Sequence, residues 1–226
     1  MATWFRGDAQ QIIEQQIKDK SIDLVYIDPP FATTQNKWDE PIDWKLLFKQ
    51  FFRVLKDDGI LAIHCSVPFN YTLIREAPKA PNYSWYWQKD NITTPLLGGK
   101  QPLRNTEEIL VWYNKKGKYY SQRVGNKERS VVVNGASSYV GNTQESKTVK
   151  VKGYHQTHHI TYKRDIQGFS TRPRELVELI IKSYTKEQDV ILDCFCYKGL
   201  TASVAKKLQR KSVSIDKNFY PSLLIE

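Results

Sequence analysis

The chain has little of what marks several protein classes. Only three cysteines occur in 226 residues. Two of them, Cys194 and Cys196, stand one residue apart, a spacing that suits neither a mutual disulfide nor a zinc knuckle. They read as reduced thiols, which excludes a disulfide scaffold. No apolar run approaches the roughly 18 to 20 residues of a membrane span, and the N-terminal MATWFRGDAQQ lacks the basic start and apolar centre of a signal peptide. A cytoplasmic, reducing location and no membrane partner are expected. The glycine-rich fingerprint of diphosphate-binding loops is missing, as are internal repeats and low-complexity tracts. His155, His158 and His159 in GYHQTHHITY have no acidic or cysteine partner at ligand spacing, so no metal is expected. Acidic residues are also in deficit: 34 Lys and Arg against 24 Asp and Glu leave a formal charge of +10, which favours a polyanionic partner such as nucleic acid.

What is present is enough for one sizeable core. With 40% hydrophobic residues, the chain suits a single domain (1–226) carrying an insertion rather than two independent domains. AQQIIEQQIK places Ile12, Ile13 and Ile17 on one helical face, and the β-formers of 21–27 follow. Residues 44–55 repeat apolar side chains at helical spacing behind a candidate N-cap, Asp43, and Asp58-Gly59 punctuates before the strand ILAIHCS. A short helix fits 68–76. YSWYWQK and EEILVWYNK read as strands that pair antiparallel, with Trp85, Trp87 and Trp112 packing the sheet. A helix opened by Pro173 precedes the strand DVILDCF, then a helix from Gly199 and a last strand, SVSID. This alternation predicts a mostly parallel sheet covered on both faces.

Residues 116–165 break that rhythm and read as an inserted, basic target-recognition region. Between Lys115 and Asp165 eleven basic residues face only Glu128, Glu145 and Asp165, among tyrosines 119, 120, 139, 154 and 162. Lys115, Lys116, Lys118 and Arg123 are candidate nucleic-acid contacts, as are Lys100, Arg104 and Asn105 of the glycine-bearing loop LLGGKQPLRN.

Two stretches carry chemistry. In a parallel sheet, ligands bind beyond the carboxyl ends of strands, and SIDLVYIDPPF puts Asp28, Pro29, Pro30 and Phe31 there. The Pro-Pro step makes a stiff corner whose carbonyls remain free to accept hydrogen bonds. A carboxylate, a carbonyl and an aromatic face together suit a planar base with an exocyclic amino group. In the second stretch, 189–216, a strand ends at Asp193, a turn holding Gly199 opens a helix, and the next strand ends at Asp216. That is the logic of a ribose-binding acid beside a close backbone approach, without glycines for a diphosphate. An adenosine cofactor without phosphates fits, and S-adenosylmethionine is the common one. Cys194 and Cys196 read as packing residues.

With these motifs the chain resembles the amino-methylating DNA methyltransferases, in the arrangement where the catalytic half precedes the cofactor half. The resemblance covers nearly everything outside 116–165: Phe5-Arg6-Gly7-Asp8, DPPFATTQNKWD, SVPF, WYWQKDN with PLRNTEEILVWYNKK, FSTRPRELVELIIKSY and DCFCYKGLT. It implies a Rossmann-like S-adenosylmethionine-dependent fold, a seven-stranded mostly parallel sheet with an antiparallel strand and circularly permuted motifs. It further implies adenine-N6 methylation of double-stranded DNA after base flipping. By the same resemblance Asp28 and the Pro29 carbonyl accept from the adenine amino group and Phe31 stacks on the everted base. Asp8 contacts the cofactor adenosine and Asp216 its ribose, while Asp193, Phe195, Gly199 and Thr201, with Thr171, Arg172 and Pro173, shape the methionine pocket. A homodimer and a cognate restriction endonuclease are family expectations. Cytosine-N4 methylation and a catalytically silent DNA-binding subunit are the alternatives. Three departures bear on cofactor binding: Tyr197-Lys198 replace Gly-Ser, Arg172 replaces lysine, and the chain stops at Glu226 before the helix after the last strand is complete.

Overall fold

The computed structural model describes residues 2–31, 41–90, 98–133, 147–162 and 172–218, with side chains everywhere except 125–133, 147–149 and 151–155. In chain order the elements are β1 (Ala2–Arg6), α1 (Ala9–Gln16), β2 (Ile22–Ile27), α2 (Trp44–Val54), β3 (Leu55–Cys65), α3 (Phe69–Glu76), β4 (Tyr83–Gln88), β5 (Thr106–Tyr113), β6 (Arg123–Val133), β7 (Lys147–His155), β8 (His159–Ile160), α4 (Arg174–Tyr184), β9 (Val190–Asp193), α5 (Leu200–Lys207) and β10 (Lys211–Asp216). Eight strands form one sheet in the order β1-β10-β9-β2-β3-β5-β4-β8. Its seven longer strands are those the sequence leads one to expect, and the two-residue β8 adds an eighth at the edge. Only β5 runs against the rest, antiparallel to both β3 and β4.

Alternation of side chains divides the core in two. On one face Val25, Ile27, Leu61, Ile63, Leu110 and Leu192 meet α1, α2 and α3; on the other Leu24, Tyr26, Ile60, Ala62, Ile109 and Ile191 meet α4 and α5. α2 shows why it folds where it does. Asp43 Oδ1 accepts from the Leu46 N–H at 3.0 Å, and Trp44, Leu47, Phe48, Phe51 and Val54 then recur on one buried stripe. The three tryptophans also pack the sheet, and each indole N–H finds an acceptor: the Tyr184 hydroxyl for Trp85, the Tyr162 carbonyl for Trp87 and the Lys79 carbonyl for Trp112.

The expected break at Asp58-Gly59 is a bulge inside one continuous strand. Ile22 lies opposite Leu55 and Leu24 opposite Ile60, so residues 56–59 are accommodated against Asp23 alone. Asp23 is sealed from solvent and accepts from Lys56 Nζ at 2.7 Å, Lys118 Nζ at 2.9 Å and the Val190 N–H at 2.9 Å. Burial pushes this carboxyl up, but the two ammonium groups and the N–H outweigh it and hold it below the usual carboxylate range.

Ser121–Thr157 forms a separate compact unit from the rest of the chain. It is a two-stranded antiparallel ribbon of β6 and β7, with Arg123 opposite His155 and Val133 opposite Lys147. The β-branched residues of 131–133 and 148–151 support these strands, which the surrounding Ser, Asn and Gly conceal in the sequence. The chain continues into β8 (His159–Ile160); just before it His158 Nδ1 lies 2.7 Å from the Ser84 carbonyl, and the His159 ring stacks on Tyr86 at 5.5 Å.

Candidate active site

The strand order reverses between β2 and β9. From β2 the chain proceeds through α2 to β3 on one side, and from β9 through α5 to β10 on the other, so a crevice opens at the carboxyl ends of this neighbouring pair. Asp28 and Asp193 stand there, on strands whose paired backbones lie about 4.8 Å apart.

Asp28 shares the side-chain parity of Leu24 and Tyr26, the face covered by α4. His64, Glu107 and Lys89 fall on the same face of β3, β5 and the end of β4, and Arg172, just before α4, reaches the Asp28, His64 and Glu107 side chains. Its guanidinium forms an ion pair with Asp28 Oδ2, donates from Nη2 to Glu107 Oε2 at 3.1 Å and from Nε to His64 Nδ1 at 3.1 Å. Lys89 pairs with the other Glu107 oxygen, and His64 Nε2 lies 2.7 Å from the Tyr26 hydroxyl. Because a guanidinium only donates, His64 Nδ1 must accept, which fixes the neutral Nε2–H tautomer and makes Tyr26 Oη the acceptor. The Glu107 oxygen 3.7 Å from Nδ1 is therefore a neighbour, not a hydrogen-bond partner.

The titration of these groups follows from their surroundings. Burial, then the Arg172 charge, push the His64 imidazole down to about 4. Burial works the other way on Glu107, but Arg172 and Lys89 outweigh it and hold that carboxyl far below the usual range. For Asp28 burial wins over Arg172, and the carboxyl is pushed up to about 6. The Asp28 side chain is nonetheless 36% exposed, at the carboxyl end of β2. Its Oδ1 makes no hydrogen bond among the described residues, so an acceptor is left for a ligand.

Pro29 is buried and Pro30 and Phe31 half-buried. One face of the Phe31 ring stacks on Phe69 at 4.9 Å and 17°. Phe69 meets Trp44 edge-on at 5.4 Å, and Trp44 meets Phe195 at 6.4 Å. An aromatic row thus joins the Asp28 corner to the turn after β9.

At that turn Asp193 Oδ1 accepts from the Phe195 N–H at 3.1 Å, and its carboxyl also receives the Thr201 hydroxyl. Burial pushes Asp193 up to about 7 despite these donors. Gly199 precedes α5 with φ of 78°, the left-handed region that favours glycine. Tyr197 occupies the same region at φ of 43°, and the residue is 53% exposed. The backbone shape that glycine ordinarily supplies is kept although the residue is tyrosine. Asp216 fastens it, accepting from the Tyr197 N–H at 2.7 Å and, on its other oxygen, from the Asn218 N–H at 2.8 Å. The Asp216 carbonyl accepts from the Gly7 N–H at 3.0 Å, and Asp8 caps α1 through the Gln11 N–H at 3.2 Å.

Most predicted residues converge on this crevice, and some do not. Arg172, expected beside the cofactor, lies against Asp28. Thr171 and residues 32–39 of the DPPFATTQNKWD segment lie outside the described residues. Lys100, Arg104 and Asn105 belong to the Asp28 edge, with Arg104 donating to the Val67 carbonyl just after β3. Lys115, Lys116 and Lys118 follow the antiparallel β5 to the opposite edge, and Lys118 is engaged there by Asp23 and Asp58, which corrects its assignment as a nucleic-acid contact. Arg123 is exposed on β6 of the separate ribbon. Sequence reasoning missed Tyr26, His64, Lys89 and Glu107. Period-two parity from Asp28 would have found Tyr26, and His64 is the one titratable group in an otherwise apolar stretch of strand, 60–64. Cys194 and Cys196 are buried, and burial pushes both thiols up, as expected of packing residues.

Fold and crevice define a Rossmann-like methyltransferase. The chain belongs to the N6/N4 DNA methylase family, whose profile matches residues 22–220. It is similar to the type II methyltransferase M1.MboII of Moraxella bovis, 23% identical over 90% of this chain and 87% of that one. Among solved structures it resembles a putative DNA modification methylase of Thermus thermophilus in complex with S-adenosyl-L-methionine, with a TM-score of 0.65 and 18% identity over 99% of this chain and 91% of that one. It also resembles the cytosine-N4-specific PvuII DNA methyltransferase, with a TM-score of 0.65 and 15% identity over 96% and 82%.

Proposed function

We propose that the protein transfers a methyl group from S-adenosylmethionine to the N6 amino group of adenine in double-stranded DNA. The observation that carries this reading is the half-engaged carboxylate of Asp28, 36% exposed, with Oδ2 on Arg172 and Oδ1 without a hydrogen bond among the described residues.

The cofactor side suits a molecule with a ribose and an α-amino acid tail and no phosphate. Asp216 still has a lone pair on each oxygen for ribose hydroxyls, Asp193 offers a buried acid for an ammonium group, and the turn at 196–199 brings backbone close without a glycine-rich cradle. When bound, the cofactor supplies an electrophilic sulfonium methyl.

The protein's own part is to make a poor nucleophile adequate. An amino group conjugated to a ring has its lone pair delocalised. Asp28 Oδ1 and the Pro29 carbonyl accept its two hydrogens, localising that lone pair and stabilising the positive charge that develops as the N–C bond forms and the methyl–sulfur bond breaks; one of the two hydrogens then leaves as a proton. The rigid Pro-Pro step holds both acceptors still, and Phe31, backed by Phe69, offers its remaining face to an everted base. The aspartate form of the tetrapeptide leans to adenine within the family, where serine leans to cytosine. Lys100, Arg104 and Asn105 sit on the right edge to meet the DNA backbone, and Arg123 of the ribbon is a further contact.

Incubation with mixed-sequence DNA and methyl-labelled cofactor, followed by nucleoside mass spectrometry, tests the proposal. N6-methyladenine is expected. N4-methylcytosine would replace the substrate, and no product would favour the silent-subunit alternative.

A further inference from the structure

Arg172 is the hub of the buried network rather than its margin. Its side chain is 12% exposed and spans three strands: Asp28 after β2, His64 on β3 and Glu107 on β5. Two of the three anchors are themselves held. His64 donates to Tyr26, and Glu107 is paired with Lys89, whose ammonium lies 5.4 Å over the Trp87 ring on β4. Two carboxylates are balanced by two cations while the imidazole stays neutral, so the guanidinium has no electrostatic reason to leave. We propose that Arg172 is a positioning residue for Asp28, gripping Oδ2 so that Oδ1 faces the target amino group. This deepens the functional reading above and rests on it.

The departure from the family's lysine acquires a reason. A guanidinium is a planar fork that can serve an oxygen, a second oxygen and a ring nitrogen at once in fixed directions; an ammonium on a flexible stem cannot. Among the described residues, the groups around Asp28 are Tyr26 on its own strand, Arg172, His64, Glu107, Lys89 and, across the crevice, Asp193. Among the described residues Arg172 is the cation that contacts it, so its loss makes Asp28 harder to ionise and frees its rotation. The rival assignment, a contact to the cofactor's methionine tail, predicts a different signature.

The test compares wild type with Arg172→Met and Arg172→Lys, measuring turnover at saturating DNA and cofactor against pH, and cofactor Kd by calorimetry. If Arg172 positions Asp28, turnover falls in both variants by at least about 30-fold, within the range for a misplaced acceptor. The acid limb of the Met variant moves up by about 1 to 3 pH units, the worth of a nearby opposite charge. Cofactor Kd stays within about twofold in both, since no uniform binding contact is lost. Unchanged turnover and acid limb with cofactor Kd raised about tenfold or more would overturn the assignment in favour of the cofactor tail. Should the Met variant not fold, the Lys variant decides alone: retained turnover overturns the proposal, lost turnover with unchanged Kd supports it. Wild-type protein without any methylated product would defeat the functional reading only. Carbon-13 NMR titration of the Asp28 carboxyl, expected to shift upward on Arg172→Lys, would then still test the pairing.

Discussion

Strand β2 carries an acid near each end, and the two differ in one respect that separates structure from function. Asp23 is fully enclosed, and two ammonium groups and a backbone N–H use its lone pairs. Asp28 sits five residues on, contacts one guanidinium through one oxygen, and is 36% exposed. A carboxylate held by three donors and closed off from solvent has nothing to offer a ligand, whatever its charge. One left half-satisfied at the mouth of a crevice is a standing cost to the fold, of the kind retained where chemistry needs it. The opposite displacements of the two carboxyls record this: Asp23 below the usual range, Asp28 up to about 6.

Removing each acid should break different properties. Asp28→Ala should lower turnover by about a thousandfold or more, as expected for losing a preorganised acceptor of developing charge, with cofactor affinity within about twofold. Turnover and calorimetry check it, and full turnover would remove Asp28 from the mechanism. Asp23→Ala should instead cost about 3 kcal/mol of stability, the scale for stripping one partner from a buried ion pair. Turnover per folded molecule should stay at the wild-type value. Urea unfolding and active-site titration check the pair of statements.

Acidity sharpens the same contrast. Asp23, depressed in the fold, contributes stability above its unfolded pKa near 3.9, and that contribution is lost as pH falls toward the folded value. Asp28, raised in the fold, does the reverse: its contribution to stability is full below about 3.9 and is lost as pH rises through about 6. Turnover runs against that stability. It should climb about tenfold per pH unit up to about 6 and then level, because only the ionised carboxylate accepts both charge and hydrogen. A flat pH profile between about 5 and 7 would show that the ionisation of Asp28 does not gate the reaction.

How much of this was legible in the sequence depended on how far each feature reaches along the chain. The corner Asp28-Pro29-Pro30-Phe31 is local, and stiffness, acceptors and ring can be read from four adjacent residues. The alternation of strands and helices is local in the same sense. The network behind Asp28 joins residues 26, 64, 89, 107 and 172, and no periodicity brings them together. Their meeting requires the order β2-β3-β5-β4, in which β5 reverses so that its first residues lie at the carboxyl ends of its neighbours. The same reversal carries Lys115, Lys116 and Lys118 to the far edge, a separation from Asp28 that grouping basic residues by segment does not reveal. Residues 56–59 read as a break because Asp and Gly end strands on average, whereas Asp23 and Lys118 hold this one together as a bulge.

A third acid tests whether the rule extends to the cofactor side. Asp216 has each oxygen engaged by one main-chain N–H, those of Tyr197 and Asn218, an arrangement intermediate between enclosed, three-donor Asp23 and half-open Asp28. Its grip keeps Tyr197 at φ of 43°, where a side chain costs about 1 kcal/mol relative to glycine. Two truncations separate backbone from ring. Tyr197→Gly should be more stable than Tyr197→Ala by about 1 kcal/mol, the reverse of the usual order, because only glycine takes this conformation without strain. Thermal unfolding of the two variants gives the comparison, and Ala matching or exceeding Gly would mean that the turn relaxes to another backbone shape once the ring is gone. If the turn holds, cofactor affinity in Tyr197→Gly should remain near the wild-type value, since the N–H that Asp216 accepts is still presented from the same place.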